Sequence, residues 1–96
     1  MKLLVVEDNR DELETTVELL ERWGYEVVGA SDGEEALNVL QQDDIDLVIA
    51  DLVLPGSLDG IQLMEKTKKL FSSSRQKVPP EFILVTGHAT VETAID

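Results

Sequence analysis

Short aliphatic runs alternate with amphipathic stretches along the chain. Leu3 to Val6 is a compact apolar run of the kind that forms a buried strand. Asn9-Arg10-Asp11-Glu12 then opens a helix, with acids in the first turn where the helix dipole favours them. Leu13, Val17 and Leu20 supply its apolar stripe, and Gly24, just past Trp23, marks its stop. Glu26 to Ala30 reads as a second strand. Ser31-Asp32-Gly33 is turn chemistry, and Ala36, Leu37 and Leu40 mark a short helix. Leu47 to Ala50 is a third strand ending at Asp51. After Pro55-Gly56 and Asp59-Gly60 a third helix begins near Ile61, with Met64, Leu70 and Phe71 available for its buried side. Ser72 to Pro80 is the longest loop. Phe82 to Val85 is a fourth strand ending at Thr86, and Thr90 or Val91 starts another helix, which has under two turns before Asp96.

This β-α-β-α-β-α-β-α order predicts an α/β domain: a doubly wound parallel sheet with helices on both faces and right-handed crossovers. The 96 residues suffice for one domain, and at 43% hydrophobic they can build a core. A formal charge of −12 argues against direct nucleic-acid contact, which needs clustered Lys and Arg. It favours a metal cation or a basic partner surface. Without cysteine, disulfides and thiolate metal sites are excluded. The first apolar run is too short for a signal-peptide core or a membrane span, so a soluble cytoplasmic protein is the expectation.

In open parallel sheets, ligands bind at the carboxyl ends of the strands. Glu7 and Asp8 follow strand one, Asp51 ends strand three and Thr86 ends strand four. If those strands are neighbours, three carboxylates and a hydroxyl converge. Each carboxylate pair at ~4 Å repels by roughly 4 kcal/mol at an effective dielectric near 20. Raised pKa values or a bound cation must offset this. Oxygen ligands alone select a hard ion, and Mg²⁺ held by a few carboxylates leaves positions for water and phosphate oxygens. Such a site suits phosphoryl transfer, with Asp51 as nucleophile, Glu7 and Asp8 holding the ion, and Thr86 hydrogen-bonding a phosphoryl oxygen.

Val5-Val6-Glu7-Asp8-Asn9, Ala30-Ser31-Asp32-Gly33-Glu34-Glu35-Ala36-Leu37, Asp46-Leu47-Val48-Ile49-Ala50-Asp51, Leu54-Pro55-Gly56, Asp59-Gly60 and Val85-Thr86-Gly87-His88 together resemble the receiver domains of two-component response regulators. The resemblance spans nearly the whole chain. It implies a flavodoxin-like fold with strand order 2-1-3-4, and a single receiver domain over 1–96 that lacks the fifth strand and last helix. It implies a phosphoacceptor switch, not a conventional enzyme. Asp51 would take a phosphoryl group from the phosphohistidine of a sensor histidine kinase or phosphotransfer protein. Mg²⁺ would be held by Glu7, Asp8, Asp51 and the backbone carbonyl of Val53, with Thr86 as the switch hydroxyl. The wording around Thr86 is similar to receivers attached to sigma-54 activators, which would place an output domain in a longer chain. The segment between Asp51 and Gly60 is one residue longer than the family pattern, at Ser57-Leu58. No Lys occupies the position of the family's phosphate-binding Lys. Two consequences are expected if the chain ends at Asp96: impaired phosphoryl transfer, and pairing between chains through strand four as a homodimer. A receiver-like docking or dimerisation module working without phosphorylation is the competing expectation. An aspartate-nucleophile phosphatase fits poorly, because Glu7-Asp8-Asn9 lacks its acid spacing. His88 reads as an exposed loop residue and Trp23 as partial core.

Overall fold

The computed structural model describes residues 1–72 and 78–85. The element order is β1 (Lys2–Val6), α1 (Arg10–Arg22), β2 (Glu26–Ala30), α2 (Gly33–Gln42), β3 (Leu47–Asp51), α3 (Gly60–Ser72) and β4 (Glu81–Val85). The helix expected near Thr90 lies outside the described residues. The strands form one parallel sheet in the order β2-β1-β3-β4. The family resemblance implied this order.

Each helix begins where a side chain can satisfy a backbone N–H that has no partner within the helix. Asn9 Oδ1 accepts from Glu12 N–H at 3.1 Å, and Asp32 Oδ1 accepts from Glu35 N–H at 2.8 Å. At α3 the exchange is reciprocal. Asp59 Oδ1 accepts from Gln62 N–H at 2.8 Å, while Gln62 Oε1 accepts from Asp59 N–H at 2.9 Å. That exchange starts α3 at Gly60. Helix α1 stops as read: Gly24 has φ +94°, a left-handed conformation that disfavours a side chain.

Strand alternation divides the sheet into two unlike faces. Leu4, Val6, Val48 and Ala50 meet Ala36, Leu40 and Leu63 from α2 and α3 in the main core. Leu4, Leu40, Val48 and Leu63 are fully buried, and burying each such side chain contributes about 1.5–3 kcal/mol. The other face is covered by α1, which lies across β1 and β2. No α1 residue is fully buried. Beyond its reach, Ile83 and Val85 of β4 stay 49% and 44% exposed. The expected sheet with helices on both faces is present, and among the described residues this face of β4 is the part left half-exposed.

Two expectations are corrected. The buried side of α3 is Gly60, Leu63 and Thr67, while Met64, Leu70 and Phe71 are only half-buried. Thr67 can occupy the core because its hydroxyl donates to the Leu63 carbonyl at 2.8 Å. Trp23 is 67% exposed, not partial core. It follows α1 as the capping residue, and its N–H donates to the carbonyls of the last turn.

At the amino ends of the strands, the Asp46 carboxylate accepts from Lys2 N–H at 2.7 Å. Its backbone bonds Lys2 O at 2.9 Å and Glu81 N at 3.1 Å. This clasp ties β1, β3 and β4 together in register, and so sets which residues meet at the opposite rim.

Candidate phosphoacceptor site

Register brings the acids together. Val5 pairs with Ile49 and Val6 with Ala50. The ladder then extends by one residue, as Glu7 N–H donates to Ala30 O at 3.0 Å and Leu52 N–H to Val85 O at 2.9 Å. Glu7 lies two residues beyond Val5 and Asp51 two beyond Ile49. Both therefore project from the α1 face of adjacent strands, ~4.8 Å apart in the sheet. Asp8 follows at the first loop position. Carboxylate oxygens of Glu7, Asp8 and Asp51 lie within 4.8 Å of one another. Glu7 and Asp51 are partly buried and Asp8 is exposed.

The electrostatics match this crowding. Burial is the main cause that pushes the Glu7 carboxyl from 4.5 up to about 7. The Asp51 carboxyl adds to the rise through a hydrogen bond and its charge, and the Glu12 carboxylate adds further repulsion. The Asn9 N–H, donating to Glu7 Oε1 at 3.1 Å, pulls the other way. Among the described residues, no Lys or Arg pairs with these acids. The ion pair that does form joins Lys2 and Asp43 at 3.4 Å, at the other end of the sheet. Oxygen donors at this spacing, with a repulsion that no side-chain cation relieves, fit a small divalent ion.

The loop from Leu52 to Asp59 borders the cluster. Asp51 Oδ1 accepts from Val53 N–H at 3.2 Å, so the phosphoacceptor candidate and the backbone expected to share its ion form one local unit. The Val53 side chain is 71% exposed, leaving the backbone as its contribution to the site. Gly60 closes the loop. Its N–H donates to Leu52 O at 3.0 Å, and an added Cβ would collide with the Asp51 carbonyl oxygen. Leu54 and Leu58 anchor the loop inward, at 7% and 6% exposure. Sequence reasoning missed Leu58 as an anchor and missed the Ser57 hydroxyl, which donates to Glu34 Oε1 at 2.6 Å. Their partners, Gly33 and Glu34, are distant in sequence, and no periodic pattern links them.

A groove of about 230 Å³ runs from Glu7 and Asp51 along Val5, Ile49, Thr16 and Val85. Of the expected site residues, Glu7, Asp8 and Asp51 are brought together with Val53 beside them. Thr86 and His88 lie outside the described residues. No described helix is long and apolar enough to cross a membrane.

Comparison with known proteins gives the same picture from a different direction. Residues 3–96 match the response regulator receiver domain family. The chain is 41% identical over 68 residues to the alkaline phosphatase synthesis transcriptional regulatory protein PhoP of Bacillus subtilis, covering 71% of this chain and 28% of that protein. It is also 41% identical over 69 residues to the CAI-1 autoinducer sensor kinase/phosphatase CqsS of Vibrio cholerae, covering 70% of this chain and 10% of that protein. The chain thus spans less than a third of these relatives. Among solved structures, a CheY-like receiver domain from Methanospirillum hungatei superposes with TM-score 0.78 at 32% identity, covering 98% of this chain and 70% of that one. A receiver domain from Leptospira biflexa gives TM-score 0.72 at 30% identity, with 98% and 70% covered. With its 2-1-3-4 parallel sheet, its rim of acids and its match over residues 3–96, this chain belongs to the response regulator receiver domain family of two-component signalling.

Proposed function

We propose that residues 1–96 act as one phosphoacceptor domain in the cytoplasm. Asp51 would accept a phosphoryl group from the phosphohistidine of a sensor histidine kinase or phosphotransfer protein. The observation that carries this reading is the convergence of Glu7, Asp8 and Asp51 oxygens within 4.8 Å, with no cationic side chain among the described residues to neutralise them.

Val53 N–H donates to Asp51 Oδ1, and we assign the other carboxylate oxygen, Oδ2, to attack phosphorus in line. As the Oδ2–P bond forms, the P–N bond of the donor breaks and its imidazole keeps the electron pair and takes up a proton. Glu7, Asp8, Asp51 and the Val53 carbonyl would hold Mg²⁺, which when bound neutralises charge on the transferring group. Asn9 N–H fixes the Glu7 carboxylate toward the cluster. Thr86, next after β4, is assigned to hydrogen-bond the phosphoryl group and carry the change to the surface. A new charge of roughly −1.5 to −2 is enough to bias a two-state surface. Relatives named as transcriptional regulators and as sensor kinases support a role as a module within a signalling chain.

Beryllofluoride with Mg²⁺ tests the reading. A phosphoacceptor switch binds it at Asp51 and shifts the amide resonances around Thr86. A receiver-like docking module leaves the spectrum unchanged, and that outcome would overturn the proposal.

A further inference from the structure

We propose that Ser57 and Glu34 form a latch that positions the Val53 carbonyl for the metal, so that α2 sets the site's affinity for Mg²⁺ without touching it. This inference rests on the phosphoacceptor reading and deepens it. The loop that carries Val53 is pinned at both ends, by Leu52 N–H on Val85 O at 2.9 Å and by Gly60 N–H on Leu52 O at 3.0 Å. Its middle has no ladder partner to hold it. There, the Ser57 hydroxyl donates to Glu34 Oε1 at 2.6 Å. Beside it, Leu58 fills the notch above Gly33, where a Cβ would come within 2.7 Å of the Leu58 Cβ and 3.0 Å of its carbonyl oxygen. Gly33 and Glu34 are the first two residues of α2, a helix held in place by Ala36 and Leu40 in the core. The loop is thus fastened to a rigid helix on the far side of the sheet from α1 by Ser57 and Leu58, with Leu54, next to Val53, buried in the same core. Ser57 and Glu34 are positioning residues: neither reaches the acids, and their effect passes through the backbone from Gly56 to Val53.

The test is Mg²⁺ affinity by calorimetry for the wild type, Ser57→Ala, Glu34→Ala, Glu34→Gln and Gly33→Ala, with melting temperature measured alongside. Loss of one hydrogen bond to a carboxylate should weaken Mg²⁺ binding about three- to tenfold in Ser57→Ala and Glu34→Ala. Glu34→Gln keeps an acceptor oxygen and should bind nearly as the wild type does. Gly33→Ala should weaken Mg²⁺ binding and lower the melting temperature as well, because its Cβ overpacks against the Leu58 Cβ and carbonyl oxygen. If instead Glu34→Gln and Glu34→Ala are equally weak and Ser57→Ala is normal, the effect is charge alone and the latch is wrong. Unchanged affinity in every variant also refutes it, while leaving the phosphoacceptor reading intact. A wild type that binds no Mg²⁺ refutes that reading itself, and the latch with it.

Discussion

Replacing Glu7 with Gln should make the metal-free protein more stable at neutral pH and the Mg²⁺-bound protein less stable. Glu7 rises from 4.5 in the unfolded chain to about 7 when folded. Between those values the native state holds more protons than the unfolded one. Stability therefore falls as pH rises through this window and levels off above it. At about 1.36 kcal/mol per pH unit the full shift would amount to roughly 3 kcal/mol. The carboxyl is only partly buried, so solvent screening reduces this to about 1–2 kcal/mol. Gln is isosteric with the protonated acid and does not titrate. In EDTA, urea unfolding should show Glu7→Gln close to the wild type near pH 4.5 and about 1–2 kcal/mol more stable at pH 8. Mg²⁺ at about a hundred times its dissociation constant stabilises the wild type by ~2.7 kcal/mol, which exceeds that gain and reverses the order at pH 8. Curves for the two proteins that run parallel from pH 4.5 to 8 in EDTA, and stay parallel in Mg²⁺, would refute the reasoning.

Gly60→Ala should destabilise by about 1–3 kcal/mol, since the new methyl meets the Asp51 carbonyl oxygen and the overpacking outweighs the gain in helix propensity; thermal unfolding would show a fall of about 4–8 °C per kcal/mol. Leu63→Ala removes a side chain with no exposure from the core and should cost about 2–5 kcal/mol by urea denaturation. Asn9→Ala removes the α1 cap at Glu12 N–H and should cost ~1 kcal/mol. Ile83→Thr, on the half-exposed face of β4, should change stability by less than the Leu63 substitution, as urea denaturation would show.

The fold was legible because each strand is a short aliphatic run and each helix carries a polar cap. Reading β2 as Glu26 to Ala30 and ending β3 at Asp51 needed nothing more. The errors lie where tertiary packing decides. On α3, Leu70 and Phe71 looked more apolar than Thr67, yet Thr67 is buried because its hydroxyl finds the Leu63 carbonyl within its own helix. Trp23 looked like core, but it caps the end of α1 and its side chain stays 67% exposed. The acids were legible because parallel strands in register carry residues of the same parity to one face, as Glu7 and Asp51 show. The contacts that brace their loop were not. Ser57 and Glu34 are 23 residues apart, and it is the packing of α2 against α3 and the sheet that brings them together.

Labelling with acetyl phosphate in Mg²⁺, read by intact mass for the wild type beside Asp51→Asn, tests the central claim most directly. The account predicts that the wild type gains one phosphoryl group, that EDTA abolishes the gain, and that Asp51→Asn gains none. Equal incorporation by both proteins would contradict it.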